Sequence, residues 1–382
     1  MKKLLLFFMI CIVSAKVNLG YAQCAEKWDN ARLSYEQGHL YGIPSQLSEC
    51  LEHGFDKQEK IEAYRLLTIT YLYIDDPYGA QNSFLNLLKL DPEYRIKTTD
   101  PIELEHLSKE YITTPIISWR ARGGVNYSFL KTINKYSSGN DLLNTEEYTP
   151  SIGYSFVGSL DVHFNKVVSF GIDVDLSTNA YQYNNKLFDN DLGEQNAKDI
   201  LEIKEVAYNA SLPVFLKLTY PGIKYYPYVY GGYAPTYNIF TKADAQYTIV
   251  QNTGEVKNEN RIGPQSLNIS QIRTKFSHSL IIGAGLMRRS KYKYVFVDVK
   301  YRLGLTNLLN GDNQFAFIDE PVKYADVQTY TLTYYKIDSD FRESDFTLTI
   351  GYVWPQYKPR KKKTVTFGSM LGGLFKKKNK DE

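Results

Sequence analysis

Between Ile117 and Trp354 the chain is laid out as seven or eight segments in which bulky apolar residues alternate with small or charged ones, and the gaps between segments run long, short, long, short. Alternation with period two is the mark of a strand, because successive side chains point to opposite faces of the sheet. A rhythm of short turns and long loops predicts an up-and-down antiparallel barrel of the outer-membrane type, with the short turns periplasmic and the long loops extracellular. No stretch beyond the first 22 residues is apolar for the length a spanning helix needs. In a membrane, that leaves a closed barrel as the remaining solution, since every backbone polar group must be paired within the protein.

The strands divide their residues between two faces. In the first, Ile117, Trp119, Ala121, Val125, Tyr127 and Phe129 share one face, and Ser118, Arg120, Arg122, Asn126 and Ser128 the other. The second and third repeat the pattern on either side of a turn at Asn165-Lys166. A fourth runs from about Lys204 to Tyr220 and contains Pro213, which cannot donate to a ladder and marks a bulge or an irregular pairing. Segments at Tyr226–Tyr237, Phe276–Met287, Val295–Leu305 and Phe346–Trp354 complete eight strands over residues 115–354. The predicted inward face carries Arg120, Arg122, Lys217, Lys300 and Arg302 against Asp161, Asp173, Asp175 and Asp298. An eight-stranded barrel is just wide enough inside to be filled by side chains. Charges in such a space are tolerated when paired, so these nine residues are read as a plugging network rather than a selective conduit. Tyr127, Tyr154, Tyr220, Tyr228, Tyr230, Tyr301 and Tyr352 are candidates for interfacial girdles. The long loops are placed at 131–153, 181–203, 239–274 and 307–343.

Residues 1–22 have the layout of a secretory signal peptide: Lys2 and Lys3, an apolar run from Leu4 to Val13, and a small-residue exit at Ala22. Cys24 invites a lipoprotein reading, which Gln23 weakens, because a lipid-attachment site wants Gly or Ala there. In an exported chain the two cysteines beyond the leader, Cys24 and Cys50, pair by default. Residues 23–114 read as a small periplasmic helical domain. Within it Tyr64, Leu67, Tyr71, Ala80, Phe84 and Pro92 fall at the spacings of the tetratricopeptide repeat, with Asp75-Asp76-Pro77 as the turn. Thr68 and Leu87 stand where that repeat has Gly and Ala. The domain serves either as a compact spacer or as a groove for a partner.

The formal net charge of +3 conceals two basic ends. The leader has three lysines, and the tail at 355–382 has nine basic against two acidic residues, so the body between them is acidic. Net charge therefore gives no argument for nucleic acid. In the tail, Arg360, Lys361, Lys362 and Lys363 precede Phe367, Met370, Leu371, Leu374 and Phe375 at helical spacing. Such a stretch is suited to a membrane surface or a partner's groove; a disordered tail is the alternative.

Four stretches resemble the PorT-type outer-membrane barrels of Bacteroidota: Tyr208–Leu218 (YNASLPVFLKL), Tyr226–Gly232 (YPYVYGG), Ile282–Leu286 (IGAGL) and Asp298–Thr306 (DVKYRLGLT). That family carries, in this order, a Leu-Pro strand, a Lys-Pro-Tyr-Val strand, a Gly-x-Gly-hydrophobic strand and an Arg-Tyr-x-Leu-Gly-Leu strand. Here Tyr226 precedes Pro227, and Lys300 and Arg302 flank Tyr301. The resemblance covers roughly 115–354 and implies a non-enzymatic outer-membrane protein, with a founding member acting in type IX secretion and gliding.

No catalytic constellation is visible. The five histidines lack metal-ligand spacing, and Gly283-Ala-Gly285 belongs to a strand rather than a phosphate loop. The expectation is an α plus membrane-β protein without cofactor, metal or nucleic-acid partner. It sits in the outer-membrane lipid with helices and tail periplasmic, as an anchor or assembly component for periplasmic or envelope proteins. The alternative is a small-solute conduit, or a surface receptor using its loops.

Overall fold

The computed structural model describes residues 23–134, 147–187, 197–222, 224–253, 256–290, 293–313 and 339–362. The leader and the tail positions Lys363, Phe367, Leu371, Leu374 and Phe375 lie outside them. The chain divides into two units, Met1–Pro115 with Tyr357–Glu382, and Ile116–Gln356.

The first unit is built on five helices: α1 (residues 23–36), α2 (Ile43–His53), α3 (Lys57–Tyr73), α4 (Pro77–Leu90) and α5 (Ile102–Lys109). The sequence starts α3 with a capping box: the Glu59 amide donates to Asp56 Oδ1 at 2.7 Å and the Asp56 amide to Glu59 Oε2 at 2.8 Å. Asp76 caps α4 by accepting from the Tyr78 and Gly79 amides, with Pro77 in the first turn, where its missing N–H costs nothing. Cys24 and Cys50 form a disulfide with their Cα atoms 5.6 Å apart, tying the start of α1 to the end of α2. Of the six repeat-spaced residues, Leu67, Ala80 and Phe84 are buried, Tyr64 and Tyr71 pack against both apolar clusters of the unit, and Pro92 is half-buried beyond the end of α4. Thr68 is buried, its hydroxyl donating to the Tyr64 carbonyl at 2.6 Å. Arg65 and Asp100 pair across the unit, and Asp100 also accepts from the Lys97 amide at 2.7 Å.

A two-stranded sheet completes this unit. β1 (Tyr111–Ile112) pairs antiparallel with a strand from beyond the barrel sequence, Arg360–Lys361. Three of the basic residues assigned to the tail, Arg360, Lys361 and Lys362, are thus part of a folded body. Lys361 Nζ lies 3.0 Å from Glu110 Oε2, and the Lys362 amide donates to the Glu110 carbonyl at 2.7 Å.

The second unit contains β2 (Pro115–Asn134), β3 (Glu147–His163), β4 (Val168–Leu187), β5 (Ala197–Ser211), β6 (Val214–Thr219), β7 (Tyr225–Thr253), β8 (Val256–Asn268), β9 (Phe276–Ser290), β10 (Lys293–Gly304) and β11 (Asp340–Tyr357); Arg360–Lys361 is β12. Hydrogen-bonded neighbours run β3-β2-β11-β10-β9-β7-β5-β4, and β3 also pairs with β4, so the sheet closes on itself. β5 and β6 occupy one position between β4 and β7: β4 meets β5 over Asp175–Leu187 and β6 over Val168–Ile172. They are one strand broken at Leu212-Pro213, and the ring has eight positions. Even at the break the backbone groups find partners: the Leu212 amide donates to the Pro235 carbonyl, and the Pro213 carbonyl accepts from Asp173.

Two of the expected long loops are largely strand. β4 and β5 pair out to Leu187 and Asp199, and β7 runs on past its last contact with β9 to form a ribbon with β8 over Lys242–Thr253. The last strand likewise begins at Asp340, six residues before the first apolar residue that signalled it, and runs to Tyr357. Polar outward faces hid these extensions. Lys204 and Asp244 face each other across β5 and β7, while Leu201, Ile203, Ala243 and Ala245 are buried on the opposite face. A register shift between Tyr208 and Asn209 marks the change from apolar to polar exterior.

Candidate functional site

Around the ring each position presents an exposed apolar residue: Trp119, Phe156, Val174, Leu216, Val229, Ile282, Val299 and Leu348. Residues one step along each strand point inward, so the same period that makes a lipid-facing belt fills the interior. All nine charged residues expected inside are buried. Arg120 Nη2 lies 3.0 Å from Asp161 Oδ1 and 3.5 Å from Asp173 Oδ1; Arg122 pairs with Asp173 and Lys217 with Asp161. Lys300 Nζ lies 2.7 Å from Asp175 Oδ2, which shares its carboxylate with the Ser155 hydroxyl at 2.8 Å. Phe215 and Phe296 stand over the Arg120 guanidinium at 5.5 and 5.8 Å from their ring centroids.

Three members of this network come from outside the expected set. Asp345 is the partner of Arg302 and also accepts from Thr347 Oγ1 at 2.8 Å. It gives the interior a fifth carboxylate against five cations. Its signal was present, since Asp345 precedes Thr347 and Thr349 on the inward parity of β11. Tyr228 and Tyr230 are the other two. Expected in the interfacial girdle, they are instead buried, each donating to Asp298 at 2.9 Å. Asp298 is thereby held by two phenols, with Arg122 Nη1 at 4.0 Å. Glycines make this possible: a Cβ on Gly283 would stand 2.3 Å from the Tyr230 ring, and one on Gly285 2.3 Å from that of Tyr228. The other girdle candidates Tyr127, Tyr154, Tyr220 and Tyr352 are exposed, and Tyr301 is half-buried.

Toward the long-connection end, a second ionic group closes the interior. Arg273 Nη2 donates to both oxygens of Glu205 at 2.8 Å, Tyr181 donates to the same carboxylate, and Phe341 lies 5.2 Å from the Arg273 guanidinium. Above it sit Tyr183, Leu201, Ile203 and Tyr247. Between the two ionic groups is a polar cavity of about 50 Å³, lined by Asn209, Asn238, Arg302, Glu343 and a set of Ser and Thr side chains. At the short-turn end, Tyr226 and Tyr294 meet edge to face at 5.4 Å below Phe296. His163, beside Asp161 in sequence, is 2.8 Å from the Ser118 hydroxyl. His278 lies on the outer face against Tyr233. Among the described residues no His, Cys, Asp and Glu side chains gather in a group of three or more that would hold a metal ion.

A closed eight-position ring with an apolar belt outside and a paired ionic interior is an integral membrane β-barrel. The chain belongs to the family described as outer membrane protein beta-barrel domain, whose model matches residues 116–310, just over half of the 382 residues. Its place is accordingly the outer membrane. Solved structures similar to it include the outer membrane protein OprG from Pseudomonas aeruginosa, at 10% identity and TM-score 0.33, covering 65% of this chain and 98% of that one. Neisserial surface protein A is similar at 9% identity and TM-score 0.25, covering 62% and 96%. The outer membrane protease OmpT from Escherichia coli is similar at 8% identity and TM-score 0.27, covering 69% and 100%. No curated protein matches the sequence.

Proposed function

We propose that this protein is a non-enzymatic outer-membrane anchor or assembly component that holds a periplasmic or envelope protein through its helical unit. The observation that carries this reading is the filled interior. Two ionic groups and the aromatic residues beyond each occupy the space through which a conduit would pass, and an eight-position ring has little more to offer. The barrel then serves to fix a body in the membrane, and the helical unit is the part left to engage a partner. The repeat-like helix-turn-helix of α3 and α4 supports that role, since such units present faces that neighbours cover. In the proposed orientation the helical unit and tail are periplasmic and the β7–β8 ribbon extracellular. The short turns lie at the end where the chain enters and leaves the ring, which favours this orientation. A link to type IX secretion or gliding rests on the PorT-type resemblance.

Affinity purification from intact, crosslinked envelopes tests the reading. Defined envelope proteins are expected with the full chain and are expected to be lost on deleting residues 24–112, while the barrel still inserts. Retention of the same proteins by the deleted form would overturn it. The β7–β8 ribbon favours a second reading, a surface receptor that captures a ligand at the long-connection end. Ligand capture abolished by removing 242–268, with periplasmic partners unaffected, would select it.

A further inference from the structure

We propose that the outer surface of β9 and β10, beside their short turn, is a binding site for the phosphate of an anionic glycerophospholipid. On each of these strands the outward row is apolar until its last member. Ile282 and Leu286 on β9 and Val297 and Val299 on β10 are exposed, and the two rows end in the exposed cations Arg288 and Lys293. The register sets Arg288 opposite Val295 and Lys293 opposite Ser290, so the two cations are diagonal neighbours on one face. Diagonal positions of an antiparallel pair lie about 7–8 Å apart, close enough for two long side chains to meet on one phosphate.

Aromatic rings hold both cations. The Arg288 guanidinium stands over the ring of Tyr225, its opposite on β7, at 5.9 Å from the ring centroid, and Lys293 Nζ over that of Trp354 at 5.9 Å. The exposed Lys224 adds a third charge, its Nζ also 5.9 Å from the Tyr225 centroid. Among the described residues no carboxylate lies within ion-pair distance of these three cations. A guanidinium over a ring keeps its N–H edges for an oxyanion, which it binds with two parallel bonds. The neighbouring short turn is different: β3 and β4 meet through the exposed Phe164 and Val167, and the cation there, Lys166, sits in the turn itself. Positive charge thus gathers where the lipid-facing belt of β9 and β10 ends. Long cationic side chains at that depth extend to the headgroups, and Tyr and Trp settle beside them. A lipid here continues an interface that the belt already makes, with an acyl chain along Leu286 and Val297 and its phosphate on the cations. A headgroup with its own ammonium supplies a competing cation, so an anionic lipid is favoured. In the orientation proposed above this is the periplasmic leaflet.

The test is native mass spectrometry of the full chain in a non-ionic detergent, with equal amounts of phosphatidylglycerol and phosphatidylethanolamine of the same acyl chains. Phosphatidylglycerol is expected to be retained in preference, by about five-fold for each cation that meets its phosphate. The preference is expected to disappear in the double variant Arg288→Gln, Lys293→Gln and to persist in Lys166→Gln. Circular dichroism of the sheet checks that the variants fold. Should the double variant fail to fold, phenylglyoxal modification of the unsubstituted chain in vesicles reads the same site. Arg288 is expected to react several-fold more slowly in phosphatidylglycerol than in phosphatidylcholine, with the exposed Arg342 as the unchanged reference. Glycerol phosphate added to the phosphatidylcholine vesicles is expected to give no such protection. Equal retention of the two lipids, a preference kept by the double variant or lost equally in Lys166→Gln, equal reaction of Arg288 in both lipids, or protection by glycerol phosphate alone would each overturn the proposal.

Discussion

At the residue scale the interior depends on shared carboxylates. Asp173 takes both Arg122 and Arg120, so Asp173→Ala removes the close partner of the buried Arg122 and leaves Arg120 with Asp161 alone. Removing one partner of a buried pair costs about 3–5 kcal/mol, and a loss of that size is expected in urea unfolding of the barrel in detergent. Glu259→Ala breaks the exposed pair with Arg261 and is expected to cost under about 1 kcal/mol in the same measurement. Gly283→Val forces the Tyr230 ring off Asp298 and is expected to cost about 1–3 kcal/mol by overpacking. In the helical unit, burial pushes the Tyr94 hydroxyl well above the usual tyrosine range, and the Asp100 carboxylate beside it adds to the shift. Tyr35, Tyr64, Tyr71 and Tyr111 are raised as well, by burial first. A raised pKa in the fold means that the stabilisation is complete below the ordinary tyrosine value of about 10 and is lost as pH climbs beyond it. Helix circular dichroism is therefore expected to fall in strong alkali, at higher pH in Tyr94→Phe than in the unsubstituted chain.

At the scale of elements, two departures from the strand pattern have different origins. Pro213 splits one ring position into β5 and β6 because proline has no N–H for the ladder, and this was readable from the residue itself. The β7–β8 ribbon was not readable, because beyond Ile239 the outward face of β7 turns polar at Lys242 and Asp244 and the hydrophobic alternation that announces a membrane strand weakens. The disulfide acts on α1 and α2. Closing a loop of 26 residues removes unfolded-state entropy worth about 3 kcal/mol. Cys50→Ala is expected to lower the denaturant midpoint of the helical signal by a corresponding amount and to leave the barrel transition where it was.

At the scale of the whole molecule, the filled interior makes a prediction about transport. Purified barrel in planar bilayers is expected to be electrically silent, and steady conductance steps would show that the ionic groups part to open a path. The alternation of residue types was enough to give the ring its eight positions, to separate lipid-facing from inward-facing side chains and to name nine of the interior charges, because a period of two leaves a side chain no other face to choose. The sequence also contained the Cys24–Cys50 pair and the helix-turn-helix of α3 and α4. Only the tertiary structure decided which charges meet. Partner choice depends on which strands are opposite across the barrel, and that follows from closure and register, not from any local pattern. The same holds for the contacts of Tyr228 and Tyr230: parity turns them inward on either side of the exposed Val229, but their rings reach Asp298 because Gly283 and Gly285 on a neighbouring strand leave room. It holds again for Arg360 and Lys361, which the sequence places after the barrel and the fold returns to the helical unit as the partner strand of Tyr111 and Ile112.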